Sequence, residues 1–212
     1  MSDQQCSRLS WTDPVGQAQQ VFRLALTALS RPAQARTFEP GPVDAAADEL
    51  PAGLSPELAA LALALCDNET TVWLAPGLDT EGVRAWFRFH CGTVLVAEPA
   101  RAAFAFVPGV EALPDLSCFH QGEAEYPDRS TTICLGGVEE RETAAITASG
   151  PGIVGNCDFS CRMPAGFLAQ WQRNHEQFPL GVDMLLCGPG RLTGLPRTTC
   201  LSPAADEVSQ CM

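Results

Sequence analysis

Across residues 14–30, apolar side chains return every three or four positions, at Val15, Ala18, Phe22, Ala25 and Leu29. That spacing draws one stripe along an α-helix. Asp13-Pro14 supplies an N-cap and a first-turn proline, and Pro32 closes the segment. Gln17, Gln19, Gln20, Arg23 and Thr27 form the polar side. Ser55-Pro56-Glu57 repeats the start signal ahead of 58–66, a run so uniformly apolar that it predicts a buried helix. A third helix is predicted over 80–90, with Val83, Trp86, Phe87 and His90 on its stripe. A fourth opens at Pro164 and carries Phe167, Leu168, Trp171, His175 and Phe178.

Short apolar or β-branched runs between the helices predict strands at 71–74, 102–107, 131–135, 143–148, 158–162 and 182–187. Strands alternating with helices predict an α/β fold, a single three-layer domain over 1–212 with a mixed, largely buried sheet. The ends 1–12 and 202–212 are expected to be loose, and 37–53 is expected to be a surface loop with Asp44, Asp48 and Glu49 as a solvated acidic patch.

The run 182–187 is apolar except at Asp183, which places a carboxylate at the mouth of a buried strand. A buried carboxylate needs a partner. Downstream, Leu195-Pro196-Arg197-Thr198-Thr199 sets a guanidinium between a proline and two hydroxyls. Asp183 is therefore expected to be ionised and held by Arg197, or by backbone N–H groups of a connection over 188–195.

Composition sharpens the picture. A net charge of −12 disfavours nucleic acid or an anionic membrane as partner. No apolar run approaches the roughly 20 residues of a membrane span, and the polar start lacks a secretion signal, so a cytoplasmic location is expected. All 13 basic residues are arginine. Without lysine the chain has no amine for a Schiff base to pyridoxal phosphate and no Walker-A lysine. Ten cysteines in no C-x-x-C pair read as reduced, buried thiols, and Cys157 with Cys161 offers only half a zinc site, so no metal is expected. His90 and Cys91 are sequence neighbours on a helix, pointing about 100° apart, which favours a core histidine over a thiol–imidazole pair.

Two loops remain as candidate chemistry. The run Glu125-Tyr126-Pro127-Asp128-Arg129-Ser130 precedes a strand, and Asp128 with Arg129 is expected to fix that turn. The loop 149–156 carries Gly150, Gly152 and Gly155, whose backbone N–H groups could cradle an anion. No helix signal follows at once, so a tight connection is favoured over a nucleotide fingerprint.

Seven pieces taken in order resemble one family: VFRLALTALSRP (21–32), LCDNETTVWLA (65–75), FRFHCG (87–92), EYPDRSTTI (125–133), SGPGI (149–153), FPLGVD (178–183) and LPRTT (195–199). The chain is similar to the PhnH subunits of the bacterial carbon–phosphorus lyase core complex. One departure is Ala33, where the family tends to have glycine in a turn.

The resemblance implies the fold of pyridoxal-phosphate-dependent transferases without the cofactor. It also implies a cytosolic subunit that dimerises alone or joins PhnG, PhnI and PhnJ. With PhnL, that machinery transfers the ribose triphosphate of ATP to methylphosphonate and displaces adenine, giving alpha-D-ribose 1-methylphosphonate 5-triphosphate. PhnI is the expected catalytic chain. Two functions follow for the present chain. One is a docking subunit without catalytic residues. The other is a chain that holds a phosphonate or triphosphate through Arg129, Ser130, Gly150, Gly152, Asp183, Arg197 and Thr198. The first should leave its arginines bound inside the fold, and the second should gather them in one pocket.

Overall fold

A computed structural model describes residues 13–39, 50–140 and 146–204. Helix α1 (Pro14–Ser30) begins where Asp13 Oδ1 accepts from the Gly16 N–H at 3.0 Å. Ser55 caps α2 (Pro56–Leu65) through the Leu58 N–H at 3.2 Å, and Thr80 caps α3 (Glu81–His90) through the Val83 N–H at 3.3 Å. Helix α4 (Phe167–Glu176) starts from Gly166, whose φ of 80° is left-handed.

The strands are β1 (Arg36–Thr37), β2 (Thr71–Leu74), β3 (Val94–Val96), β4 (Phe104–Val107), β5 (Thr132–Leu135), β6 (Ile146–Ser149), β7 (Cys157–Phe159), β8 (Asp183–Gly188), β9 (Arg191–Leu195) and β10 (Cys200–Pro203). Seven of them form one mixed sheet in the order β1-β9-β8-β5-β4-β2-β3. From β8 to β3 the strands are parallel, while β9 turns back antiparallel on β8 and β1 pairs antiparallel with β9. A small antiparallel sheet, β10-β6-β7, stands apart.

Pleating divides the core in two. Val72, Phe106, Cys134 and Leu185 face α1, α2 and α3. Trp73, Ala105, Ile133 and Met184 face α4 and the small sheet, through Trp171, Phe167, Ala148 and Leu201. The result is a layer of three helices, the main sheet, and a layer made of α4 with the small sheet. The main sheet is covered on both faces, which is why its strands are nearly all apolar.

Several expectations are corrected. The buried face of α1 is Val21, Ala25 and Ala28, whereas Val15 and Phe22 point outward. The connection predicted over 188–195 is strand β9, hairpinned to β8. Val94–Val96 is a strand that the sequence reading passed over. Ser202 and Pro203, placed in a loose tail, pair with Thr147 and Ile146 in β10. Phe178 follows α4 rather than extending its stripe, stands exposed and precedes a cis peptide bond to Pro179. Of the acidic patch, Asp44, Asp48 and Glu49 lie outside the described residues, as do 1–12 and the first three positions of the strand predicted over 143–148.

Candidate functional site

Asp183 opens β8, and Arg197 sits in the turn between β9 and β10. The hairpin between β8 and β9 brings the two together. Asp183 Oδ1 accepts from the Arg197 backbone N–H at 2.7 Å and from Nε at 3.1 Å, and Oδ2 accepts from Nη2 at 2.5 Å. Nη2 also donates to Ser130 Oγ at 2.5 Å, while Nη1 donates to the carbonyls of Pro127 at 2.9 Å and Pro179 at 3.2 Å. All five guanidinium donors are thus engaged within the chain. With side chains 12% and 20% exposed, the pair is shielded enough that losing either partner strands a charge.

Helix α4 braces this clamp from one side. His175 Nδ1 donates to the Arg197 carbonyl at 2.9 Å, and Trp171 Nε1 donates to the Thr199 carbonyl at 2.8 Å. Asn174 donates to the Val182 carbonyl at 3.0 Å and accepts from the Val182 N–H at 2.8 Å. These residues stand at i, i+3 and i+4, one face of a helix. Sequence reasoning placed Trp171 and His175 on that face and missed Asn174. A polar residue inside an apolar stripe was the available signal. Thr131 completes the site from β5's end: its Oγ1 donates to the Ala102 carbonyl at 2.6 Å and accepts from the His120 N–H at 3.1 Å.

Of the predicted site residues, Ser130, Asp183 and Arg197 are bonded directly. Thr198 lies alongside Gly150, since a Cβ on Gly150 would come 2.9 Å from the Thr198 carbonyl. Gly152 is packed elsewhere, against the end of α1, where a Cβ would meet the Ser30 carbonyl at 2.3 Å. Although Gly150, Gly152 and Gly155 stand at G-x-G-x-x-G spacing, their loop joins β6 to β7 and no helix follows it. Arg129 turns outward and lies 4.0 Å above the Tyr126 ring. The turn over Pro127–Arg129 is held by Arg197 and by close approach of Gly122, not by the Asp128 and Arg129 side chains.

The clamp occupies the amino-terminal ends of parallel strands β5 and β8. Ligands in such sheets usually sit beyond the opposite ends, at a switch in strand order. Here the order switches between β2 and β4, where a Cβ on Gly77, after β2, would make ordinary contact with Pro108 Cγ, after β4, at 3.6 Å. The tight packing lies one strand over, past β5, where a Cβ on Gly136 would lie 2.8 Å from Leu58 Cδ1 and 3.2 Å from the Pro108 carbonyl. Two shallow cavities open nearby. One of about 290 Å³ is lined by Glu140, Cys161, Arg191 and Thr193, with Arg191 ion-paired to Glu140. The other, of about 410 Å³, is lined by Glu111, Arg162 and Phe167, with Arg162 3.4 Å from Glu139.

Burial pushes the Cys161 thiol up to about 11, which keeps it neutral and poorly nucleophilic. Burial also lowers His90, which stacks against Trp86 at 4.8 Å, away from both cavities' linings. Cys66, Cys91, Cys134 and Cys187 are buried free thiols, but Cys118 and Cys200 are exposed, contrary to the uniform reading. Among the described residues no His, Cys, Asp or Glu side chains gather as a metal set, and no helix is long and apolar enough to cross a membrane.

Fold and site together define an α/β protein with a mixed sheet, in which the most sheltered ion pair among the described residues ties the chain's own loops. The profile of a family described as "Bacterial phosphonate metabolism protein (PhnH)" matches residues 9–202. A protein of Rhizobium meliloti (strain 1021) named "Alpha-D-ribose 1-methylphosphonate 5-triphosphate synthase subunit PhnH" is 36% identical over 192 residues, covering 90% of this chain and 92% of that one. The chain belongs to the PhnH family.

Proposed function

We infer that this chain is a subunit of the carbon–phosphorus lyase core complex, required for making alpha-D-ribose 1-methylphosphonate 5-triphosphate from ATP and methylphosphonate. Its role is to dock other chains, not to perform the transfer. The observation that carries the docking role is the saturation of Arg197, which leaves its guanidinium no donor for a phosphate. The near-complete match to a synthase subunit supports the assignment to that complex.

PhnG, PhnI and PhnJ are the proposed partners, in the cytoplasm, with a homodimer when the chain is alone. The fold is proposed to be that of pyridoxal-phosphate-dependent transferases. A chain without lysine is unable to form that cofactor's internal aldimine, which supports a cofactor-free version.

A ligand-holding role retains one supporting feature, the Arg129 guanidinium, which has no carboxylate partner among the described residues. Reconstitution separates the readings. The other subunits supplied with ATP and methylphosphonate should form product only when this chain is added, and this chain alone should form none. Equal product without it would overturn the assignment. Loss of product on Arg129→Ala in a fully assembled complex would favour ligand binding.

A further inference from the structure

Arg197 does more than satisfy Asp183: it fixes two surface loops side by side. Its Nη1 donates to the carbonyl of Pro127 in one loop and of Pro179 in the other, and the Gly181 N–H donates to the Gln121 carbonyl at 2.8 Å. Each loop presents a large ring to solvent. Tyr126 is 45% exposed and Phe178 59%, and each immediately precedes one of the two clamped prolines. Arg129 stands over the Tyr126 ring at 4.0 Å, which steadies its guanidinium. Tyrosine, phenylalanine and arginine are enriched at protein interfaces, and a backbone already fixed leaves little freedom to lose on binding.

We propose that this end of the molecule, over 121–129 and 176–181, is the face by which the chain docks a basic surface of a partner subunit. The inference rests on the docking role proposed above and supplies its contact. Charge selects the partner. Glu123, Glu125, Asp128 and Glu176 stand exposed on the same loops and at the end of α4, and none has an ion pair among the described residues. A second copy would set one acidic rim against another, and a phosphate or an anionic membrane would be repelled in the same way. Lysines and arginines of another chain would be drawn in.

A socket on the same end fits the same partner. A cavity of about 170 Å³ is lined by Asp115, Gln121, Gln170, Arg173 and Gln177. Gln121 begins one clamped loop, and Gln177 directly precedes Phe178 in the other. Gln121 Nε2 donates to the Leu116 and Phe119 carbonyls at 2.8 and 2.9 Å, and Gln177 Nε2 donates to the Arg173 carbonyl at 3.2 Å. Both amides are thereby pinned, and neither Oε1 has a hydrogen bond among the described residues. Two pinned acceptors at one cavity suit the ammonium or guanidinium tip of an entering side chain. Arg173 lines the cavity too, and its charge is offset by Asp115 3.4 Å away.

Calorimetric titration of the full chain into the assembly of the other synthase subunits, PhnG, PhnI and PhnJ, tests this at about 50 and about 300 mM salt. Wild type should bind, and more weakly at the higher salt. Tyr126→Ala and Phe178→Ala, both at exposed positions, should each weaken binding about tenfold or more with unchanged far-UV circular dichroism. Glu125→Lys combined with Glu176→Lys should weaken binding at low salt and flatten the salt dependence. Wild-type affinity in all of these variants would overturn this face while leaving the docking role intact. Binding indifferent to salt, yet weakened by Phe178→Ala, would overturn the basic partner. A wild-type chain that binds none of the other subunits would overturn the docking role as well.

Discussion

Asp183 meets three donors of a single residue, and the pairing follows from where the chain places it. A carboxylate at the first position of an otherwise apolar strand is largely shielded from water, so the nearest guanidinium becomes its partner. That much was legible in the sequence. The two proline carbonyls that complete the clamp were not, because backbone acceptors carry no residue signature. Asn174 showed in the sequence only as a polar residue inside an apolar stripe; its two partners, both on the Val182 backbone, did not show at all.

Asp183→Asn should cost about 3–5 kcal/mol in urea unfolding, the scale of a stranded buried charge. At Ala33 the opposite is expected. Its φ of 62° is left-handed, so Ala33→Gly should relieve strain and stabilise by up to about 1 kcal/mol, read as a higher urea midpoint. A midpoint lowered by that change would contradict the strain argument.

Among the elements, the helices were read best, because caps and 3.6-residue periodicity are local. Asp13 and Ser55 each cap the helix expected of them, and Thr80, expected as the first residue of its helix, caps it instead. Which side of α1 is buried depends on β9, and no periodicity could tell the two apolar faces apart. Strand β9 was missed because Gly194 and Thr193 interrupt its apolar run. The glycine has a tertiary cause: α1 crosses β9 so closely that a Cβ on Gly194 would sit 2.3 Å from Ala28 C. Gly194→Ala should therefore push α1 off the sheet and cost about 3 kcal/mol, measurable by thermal unfolding. A wild-type melting curve would mean that the contact is looser than the geometry here. Strands β1 and β3, at two and three residues, are too short to show any period.

For the whole molecule, the buried thiols set a pH limit. Burial raises Cys66, Cys134 and Cys187 well above their ordinary 9.0 and pushes Cys91 up to about 12. The unfolded chain loses these protons above about pH 9 while the folded chain keeps them, so stability is complete below that pH and falls as pH rises. Denaturant titrations from about pH 8 to about pH 10.5 should show this decline, and a flat profile would contradict it. Iodoacetamide at about pH 8 should modify Cys118 and Cys200 and spare those four, as peptide mass mapping would report.

On the proposal that the chain acts by docking, its most sheltered charge pair serves its own fold and no ligand. Thermal unfolding of Arg197→Ala against wild type, at equal protein concentration, decides between the two uses of that arginine. The melting temperature should fall by on the order of 10 °C, the shift expected of about 3–5 kcal/mol in a chain of this size. An unchanged or raised melting temperature, with synthase activity lost in the assembled complex, would show instead that Arg197 waits for an anion.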